Sequence, residues 1–136
     1  MFLDYGGRQI KIDFPINWAK NPFKISAYPH HLMSLRWINE SFSKEQIRTI
    51  ILDFYNFHFV KKVSHSYYVQ MCADHCTCIR LFKMYRIRSL FDDDSEILNI
   101  ISCIIARDLK FLQNDKIYRV GHNHGIMADA TLFFFL

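Results

Sequence analysis

Glycine and proline are scarce in this chain, at four and three of its 136 residues. With 51% hydrophobic and 16% aromatic residues, that scarcity excludes a disordered chain and indicates one compact, helix-rich domain with a sizeable core. It also excludes a glycine-rich phosphate loop, because Gly6-Gly7 stands without the other positions of that fingerprint. A G-x-S-x-G nucleophile motif is missing as well.

Long apolar runs are equally rare. The nearest, Ile97 to Ile105, is interrupted by Asn99 and Ser102, and it is far shorter than the roughly 18 apolar residues that indicate a membrane span. The first residues lack the basic region, the apolar region and the cleavage site of a signal peptide. We therefore expect no membrane span, and the sequence carries no export signal that would set its location.

Neither charge nor cysteine is concentrated enough to define a site. The net charge of +4 is spread out, and the basic series from Arg80 to Arg88 covers more than one helix face. A solvated surface is favoured over nucleic-acid binding, although diffuse positive charge also suits a polyanionic sugar. The cysteines do not form a secreted disulfide framework. Cys72, Cys76 and Cys78 allow a metal site with His75, but no second ligand pair accompanies them, so we expect no metal.

Hydrophobic periodicity predicts an all-α fold with about five helices, four of them long. Residues 1–25 are predicted to form an irregular arm, since proline disfavours helix in the residue before it. Residues 26–136 complete a single partial helical domain, in which antiparallel helices with short connections are compatible with a bundle, a solenoid or an α/α toroid. The first helix is predicted from Pro29 through Ile38, and the second follows a capping box at Ser43 and Gln46. The third is predicted from a cap at Asp74 to about Leu90, the fourth over 96–112, and the fifth from about Asn123 onward.

The last sixteen residues combine a polar cluster with an apolar helix. Asn123 and His124 open that predicted helix, and Phe133 to Leu136 end the chain. Asn is a common helix N-cap, which alone accounts for Asn123. Histidine can accept a proton near neutral pH, and an amide can donate to a carboxylate. The pair is therefore also a candidate for catalysis, and the abrupt apolar stop suggests that part of a longer protein is missing.

Two other segments hold candidate binding residues. His31 and the pair Arg36-Trp37 form an aromatic and basic cluster, a composition typical of carbohydrate subsites and equally typical of helix packing, which we favour for Trp37. His75 and Arg80 lie at a predicted helix start. The alternative for Arg80 is a pairing with a nearby carboxylate.

Together these residues resemble the heparinase II/III-like polysaccharide lyases, a group similar to the oligoalginate lyases. The Asn-His-Gly element is the most specific part of the resemblance, which covers nearly the whole chain. The matching pieces are Trp18-x-x-Asn21-Pro22-Phe23, Tyr28-x-x-His31-Leu32-x-Ser34-Leu35-Arg36-Trp37, Asp74-His75-x-Thr77-x-x-Arg80-Leu81 and Asn123-His124-Gly125-Ile126-Met127-x-Asp129.

The resemblance implies an incomplete α/α toroid followed by β-sandwich domains, with this chain as the first half or so of the toroid. It implies β-elimination on a uronic-acid polysaccharide, and it implies a periplasmic or exported protein. We expect no cofactor. By motif match, Asn123 would neutralise the substrate carboxylate and His124 would act as base or charge stabiliser. The candidate substrate-binding residues are His31, Arg36, Trp37, His75 and Arg80.

The family's catalytic Tyr and a further His lie beyond Leu136, so the resemblance implies that this chain alone is inactive or very weak. Two other hypotheses stay open. One is a non-catalytic interaction module that uses an exposed apolar patch from Phe133 to Leu136, through a missing segment or self-association. The other is a small metal-binding helical protein built on the cysteine cluster.

Overall fold

The structure is a computed structural model that describes residues 1–25, 27–61, 73–114 and 123–136. Most of this part of the chain is helical, which confirms the predicted helix-rich class. In chain order its elements are strands β1 (Phe2–Tyr5) and β2 (Arg8–Lys11) and helices α1 (Ala27–Met33), α2 (Lys44–Tyr55), α3 (Ala73–Ile87), α4 (Ser95–Leu112) and α5 (Asn123–Phe135). The predicted connection over 61–68 and the turn over 113–119 lie mostly outside the described residues.

An antiparallel hairpin replaces the first part of the predicted irregular arm. β1 and β2 pair with Phe2 opposite Lys11 and Tyr5 opposite Arg8. Gly6 and Gly7 turn the chain with φ angles of +59° and +80°, which a two-residue hairpin turn requires and which glycine adopts without steric cost. The prediction was wrong here because four-residue strands are too short for their alternation to stand out.

The first helix is shorter than its periodicity predicted. It ends at Met33, because Leu35 adopts a left-handed conformation with φ of +56°, which no α-helix can contain. The chain turns there, and the Trp37 indole nitrogen donates to the Leu32 carbonyl at 2.9 Å. Leu35 and Ile38 are still buried, so their apolar spacing reflects a packed turn.

The predicted capping box at the start of α2 is confirmed. Gln46 N donates to Ser43 Oγ at 3.1 Å, and Ser43 N donates to Gln46 Oε1 at 2.8 Å. In α4 the cap is Asp94, whose carboxylate accepts from Ile97 N at 3.2 Å. The cap predicted at Asp74 was wrong, since α3 begins at Ala73 and Asp74 is its second residue.

Helices α1 and α3 run parallel to each other. The Cys76 thiol donates to the His30 carbonyl at 3.5 Å, and Arg80 Nη1 donates to the Met33 carbonyl at 2.9 Å. The partners in these two contacts are 46 and 47 positions apart. Residue numbers increase in both helices from the first contact to the second, so the two helices begin at the same end of the molecule.

Helix α5 continues this layer on the other side of α3. The Cys78 thiol hydrogen-bonds to the Thr131 side chain, and the ring of Phe82 lies 5.1 Å from that of Phe134. Contact positions again rise together along both helices, so α5 is parallel to α3. Helices α1, α3 and α5 form what we call the first layer.

Helices α2 and α4 form a second layer and are also parallel. At their beginnings Arg48 donates to Asp94 and to Glu96, each at 2.7 Å. At the other end, the Arg107 guanidinium lies 4.1 Å from the ring centre of Phe59, in the π-helical segment Asn56–Val60 that follows α2. Successive helices therefore alternate between the two layers along the described part of the chain.

One buried ion pair joins the two layers. Arg80 of α3 donates to both carboxylate oxygens of Asp108 in α4, each at 2.7 Å, and each of the two residues is only 1% exposed. The Arg80 guanidinium also lies 5.3 Å from the ring centre of Phe54 in α2 and donates to Met33 of α1. Four helices thus converge on this single side chain.

No helix in the described ranges is both long enough and apolar enough to cross a membrane.

We expect the Asp108→Ala substitution to lower the free energy of unfolding by about 3–5 kcal/mol, because it leaves the buried Arg80 charge uncompensated. Urea denaturation followed by circular dichroism measures this loss. Replacing both partners, as Arg80→Met with Asp108→Leu, should cost less than the single change. The matched control is Glu96→Ala, which removes only an exposed partner of Arg48, and equal stability of that control and Asp108→Ala would contradict the prediction.

Candidate functional site

A cleft of about 240 Å³ lies between the β-hairpin, α1 and the first half of α3. We call it the histidine cleft. His31, Arg36 and His75 line it together, and these are three of the five residues predicted to bind substrate. They come from different segments of the sequence, and the parallel packing of α1 on α3 brings them to one place. The wall also includes Tyr5, His30, Ser34 and Cys76.

The hairpin fixes the position of His31. Its Nε2 lies 2.8 Å from the backbone oxygen of Asp4, and since a carbonyl can only accept, Nε2 carries the proton. In the neutral imidazole Nδ1 is then the acceptor. The Tyr5 ring lies 5.0 Å from the His31 ring and 5.3 Å from the ring of Tyr28. One cleft histidine therefore has a defined tautomer and orientation.

Burial makes His30 and His31 poor bases for their type. For both residues desolvation lowers the pKa below the usual 6.5. The pKa of His30 is raised in part by Asp74 and lowered further by His75. For His31 the hydrogen bond to Asp4 raises the pKa, and the charge of Arg36 lowers it. Both imidazoles are consequently neutral at pH 7, and Arg36 supplies the permanent positive charge.

The arrangement suits an acidic ligand with hydroxyl groups. The Arg36 side chain is exposed, and its planar guanidinium carries five donors that match a carboxylate or sulfate in geometry. Neutral imidazoles can donate and accept hydrogen bonds, and an anion bound beside them would favour their protonation. Asp74 Oδ1 accepts from His75 N at 2.9 Å within the first turn of α3.

Arg80 and Trp37 lie in the interior, away from the cleft surface. Arg80 is engaged by Asp108, the carboxylate pairing that the sequence left open as its alternative. Trp37 is 3% exposed, and its ring lies 5.7 Å from that of Phe42, in agreement with the packing interpretation. Both side chains have partners inside the protein, and neither of them lines the histidine cleft.

Asn123 and His124 open α5. Asn123 is exposed and is the first residue of the helix, while the side chain of His124 lies outside the described part. Because α5 is parallel to α3, Asn123 lies at the end of the first layer where His75 also lies. Within the described residues the lining of the histidine cleft does not include Asn123.

The cysteine cluster divides between two faces of α3. Cys76 faces α1, whereas Cys78 packs with Leu112 and Ala128. Burial raises the pKa of the Cys76 thiol to about 11, which disfavours the thiolate that a metal needs. Cys72 lies outside the described residues, and among those described no group of three His, Cys, Asp or Glu side chains is placed to hold a metal ion.

Sequence reasoning missed two contributors to the surface. Tyr5 reaches the cleft only because the hairpin folds back onto α1, and the sole sequence signal for that hairpin was Gly6-Gly7. Lys83 and Arg86 were interpreted as a solvated helix face, yet they line a neighbouring cleft. The cleft that Lys83 and Arg86 line depends on the turn after α1. The left-handed residue of that turn is Leu35, and a leucine does not indicate a turn in the sequence.

Comparison of the chain with protein-family models, with curated proteins and with solved structures found no match.

Proton NMR should show His30 and His31 titrating below pH 6.5, because burial disfavours their charged forms. Assignment uses His30→Gln and His31→Gln. In the unfolded chain His30 and His31 become protonated near pH 6.5, whereas in the folded chain they do so only at lower pH. The free energy of unfolding should therefore fall as the pH drops below 6.5. Either substitution should flatten this pH dependence. Midpoints at or above 6.5 would contradict the assignment of neutral histidines.

Proposed function

We propose that this chain is a fragment of a polysaccharide lyase, comprising helices that bind a uronic-acid polymer and part of the machinery for its cleavage by β-elimination. The observation that carries the proposal is the meeting of His31, Arg36 and His75 in one cleft. The resemblance to the lyase family implies substrate binding for all three residues. A fixed cation beside neutral imidazoles is a suitable receptor for a uronate carboxylate.

The helix arrangement supports an α/α toroid as the architecture of the longer protein. Such a toroid alternates helices between an inner and an outer ring. The first layer of α1, α3 and α5 and the second layer of α2 and α4 have that alternation, and each layer consists of parallel helices. In this proposal the first layer is the inner ring, and the histidine cleft opens between two of its helices.

The chemistry assigns distinct tasks to the residues. Neutralising the carboxylate makes the C5 proton of the uronate acidic, and a base removes that proton. The C5 electron pair forms the C4–C5 double bond, the bond from C4 to the glycosidic oxygen breaks, and an acid protonates the leaving oxygen. We assign neutralisation to Asn123 and proton removal or charge stabilisation to His124, with Arg36 holding the polymer. Stabilising developing charge is usually the largest contribution to such catalysis.

The position of α5 is compatible with this assignment. Its first residues lie at the same end of the first layer as His75, and a helix N-terminus carries partial positive charge that favours an anion. The acid remains to be supplied, because none of the seven tyrosines matches the family's catalytic Tyr by motif. Binding should therefore be measurable in this chain even where turnover is very weak.

We expect uronate oligosaccharides to bind the purified chain in calorimetric titrations and Arg36→Gln to weaken binding roughly tenfold, as loss of a charge-assisted hydrogen bond would. Arg88→Gln is the matched control, since it removes an exposed arginine outside the cleft. The panel includes heparan-like, alginate-like and capsular polymers.

The same samples report turnover through the ultraviolet absorbance of the unsaturated uronate product. Little or no rise is expected, and any rise should vanish in Asn123→Ala and His124→Ala. Absence of binding by every polymer, or equal weakening by Arg36→Gln and its control, would overturn the binding assignment. Rapid turnover by the chain alone would overturn the view that its catalytic set is incomplete.

A non-catalytic interaction module is the second candidate, and one observation favours it. Phe133 is 91% exposed, and Ile126, Phe134 and Leu136 are 68%, 53% and 74% exposed. Ile126, Ala130 and Phe133 follow the spacing of a single helix face. An apolar stripe of this kind is typical of a surface that contacts another protein.

Sedimentation velocity should therefore reveal concentration-dependent self-association that Phe133→Ser reduces, because the change removes the most exposed apolar side chain of the stripe. Phe2→Ser is the matched control, since Phe2 is an exposed phenylalanine on the hairpin. A monomer at all concentrations, or equal effects of both substitutions, would contradict a role for this stripe in self-association.

A further inference from the structure

A second, larger cleft of about 870 Å³ lies between the connection from α1 to α2 and the last part of α3. We call it the basic cleft. Its charged lining consists of Arg36, Lys83 and Arg86 with a single carboxylate, Glu40. Helix α3 and Arg36, in the connection after α1, thus contribute to both clefts.

Among the described residues, the three cations of the basic cleft have no carboxylate within ion-pair distance. Within the described ranges, Arg36, Lys83 and Arg86 form no ion pair. Lys83 donates one hydrogen bond to the Ile38 carbonyl, and an ammonium group has three donors. Like charges held close together destabilise a folded protein unless an opposite charge joins them.

The environment of Lys83 agrees with this lack of a paired carboxylate. The side chain is half-buried, and its pKa is lowered, first by burial and then by the charge of Arg86. An ordinary surface lysine near a carboxylate has its pKa raised, as for Lys44 beside Asp93. A bound anion would supply to Lys83 a counter-charge that no ion pair among the described residues provides.

Arg36 lines both clefts, which therefore meet at its side chain. Along α3, His75 in the histidine cleft and Lys83 in the basic cleft are separated by about 12 Å of helix rise. That separation exceeds the size of one sugar ring. A ligand that reaches both clefts must accordingly be an oligosaccharide with acidic groups on more than one of its units.

We propose that the basic cleft is a second anion subsite, in which Lys83 and Arg86 bind a further acidic group of the same polysaccharide chain that occupies the histidine cleft. This inference rests on the proposed function. It adds that the substrate is recognised as a polymer with repeated acidic groups, with Arg36 between the two subsites.

The test compares uronate oligosaccharides of increasing length on the 136-residue chain by calorimetry. For the wild-type chain, affinity should rise from the disaccharide to the hexasaccharide. In Arg86→Gln and Lys83→Gln this gain should fall about tenfold, with disaccharide affinity unchanged. Arg86 is exposed, so its substitution leaves the core intact. Lys110→Gln on the surface of α4 is the matched control for removal of one charge.

A second readout separates the two hypotheses. Inorganic sulfate should raise the pKa of Lys83, followed through its side-chain NMR signals, and Arg86→Gln should reduce that rise. If oligosaccharides bind but the length-dependent gain survives in both variants, the subsite is overturned and the proposed function stands. If no oligosaccharide binds, the proposed function fails. A rise of the Lys83 pKa with sulfate would then show that the basic cleft binds only small anions, which overturns the polysaccharide subsite. No sulfate response would overturn the subsite in that case too.

Discussion

The buried pair of Arg80 and Asp108 is the constraint on which the rest of the structure depends. Taking two charges out of water is expensive, and only good geometry with further hydrogen bonds offsets that cost. Here the carboxylate is held by two bonds of 2.7 Å, the Met33 carbonyl takes another donor, and the Phe54 ring lies against the guanidinium. An aliphatic side chain in place of Arg80 would still fill the space, but it would no longer specify how α1, α2 and α4 meet α3.

The functional surface follows from that constraint. The bond from Arg80 to Met33 holds the end of α1 against α3, and the Cys76 thiol holds its middle at His30. These two contacts set the register that places His31 opposite His75 and leaves Arg36 at the junction of the clefts. Interior polar chemistry therefore determines which surface side chains meet, which is why Arg80 matters to the site without reaching it.

Elements with strong local signals were predictable from the sequence, whereas those set by distant partners were not. The capping box and apolar stripe of α2 and the long stripe of α4 are encoded within a few turns, and both helices appear where expected. Arg80 was ambiguous because its partner Asp108 is 28 positions away, and no local pattern states whether a helix residue will be buried. The end of α1 was missed for a similar reason, since a left-handed leucine is stabilised by tertiary packing.

Under the proposed function, the two clefts would take different parts in binding an acidic sugar polymer. Burial lowers the pKa of His30 and His31 below 6.5, so their imidazoles are neutral at pH 7 and can form hydrogen bonds with a ligand, while the proposal assigns proton removal to His124. Holding a polyanion requires permanent charge, which Arg36 provides in the histidine cleft and Lys83 and Arg86 provide in the basic cleft. Arg36 lowers the pKa of His31, and further cations beside the histidines would lower the histidine pKa values more. In the proposed function, Arg36 lies between the imidazoles of the histidine cleft and the cations of the basic cleft, so that both clefts could contact one polymer chain.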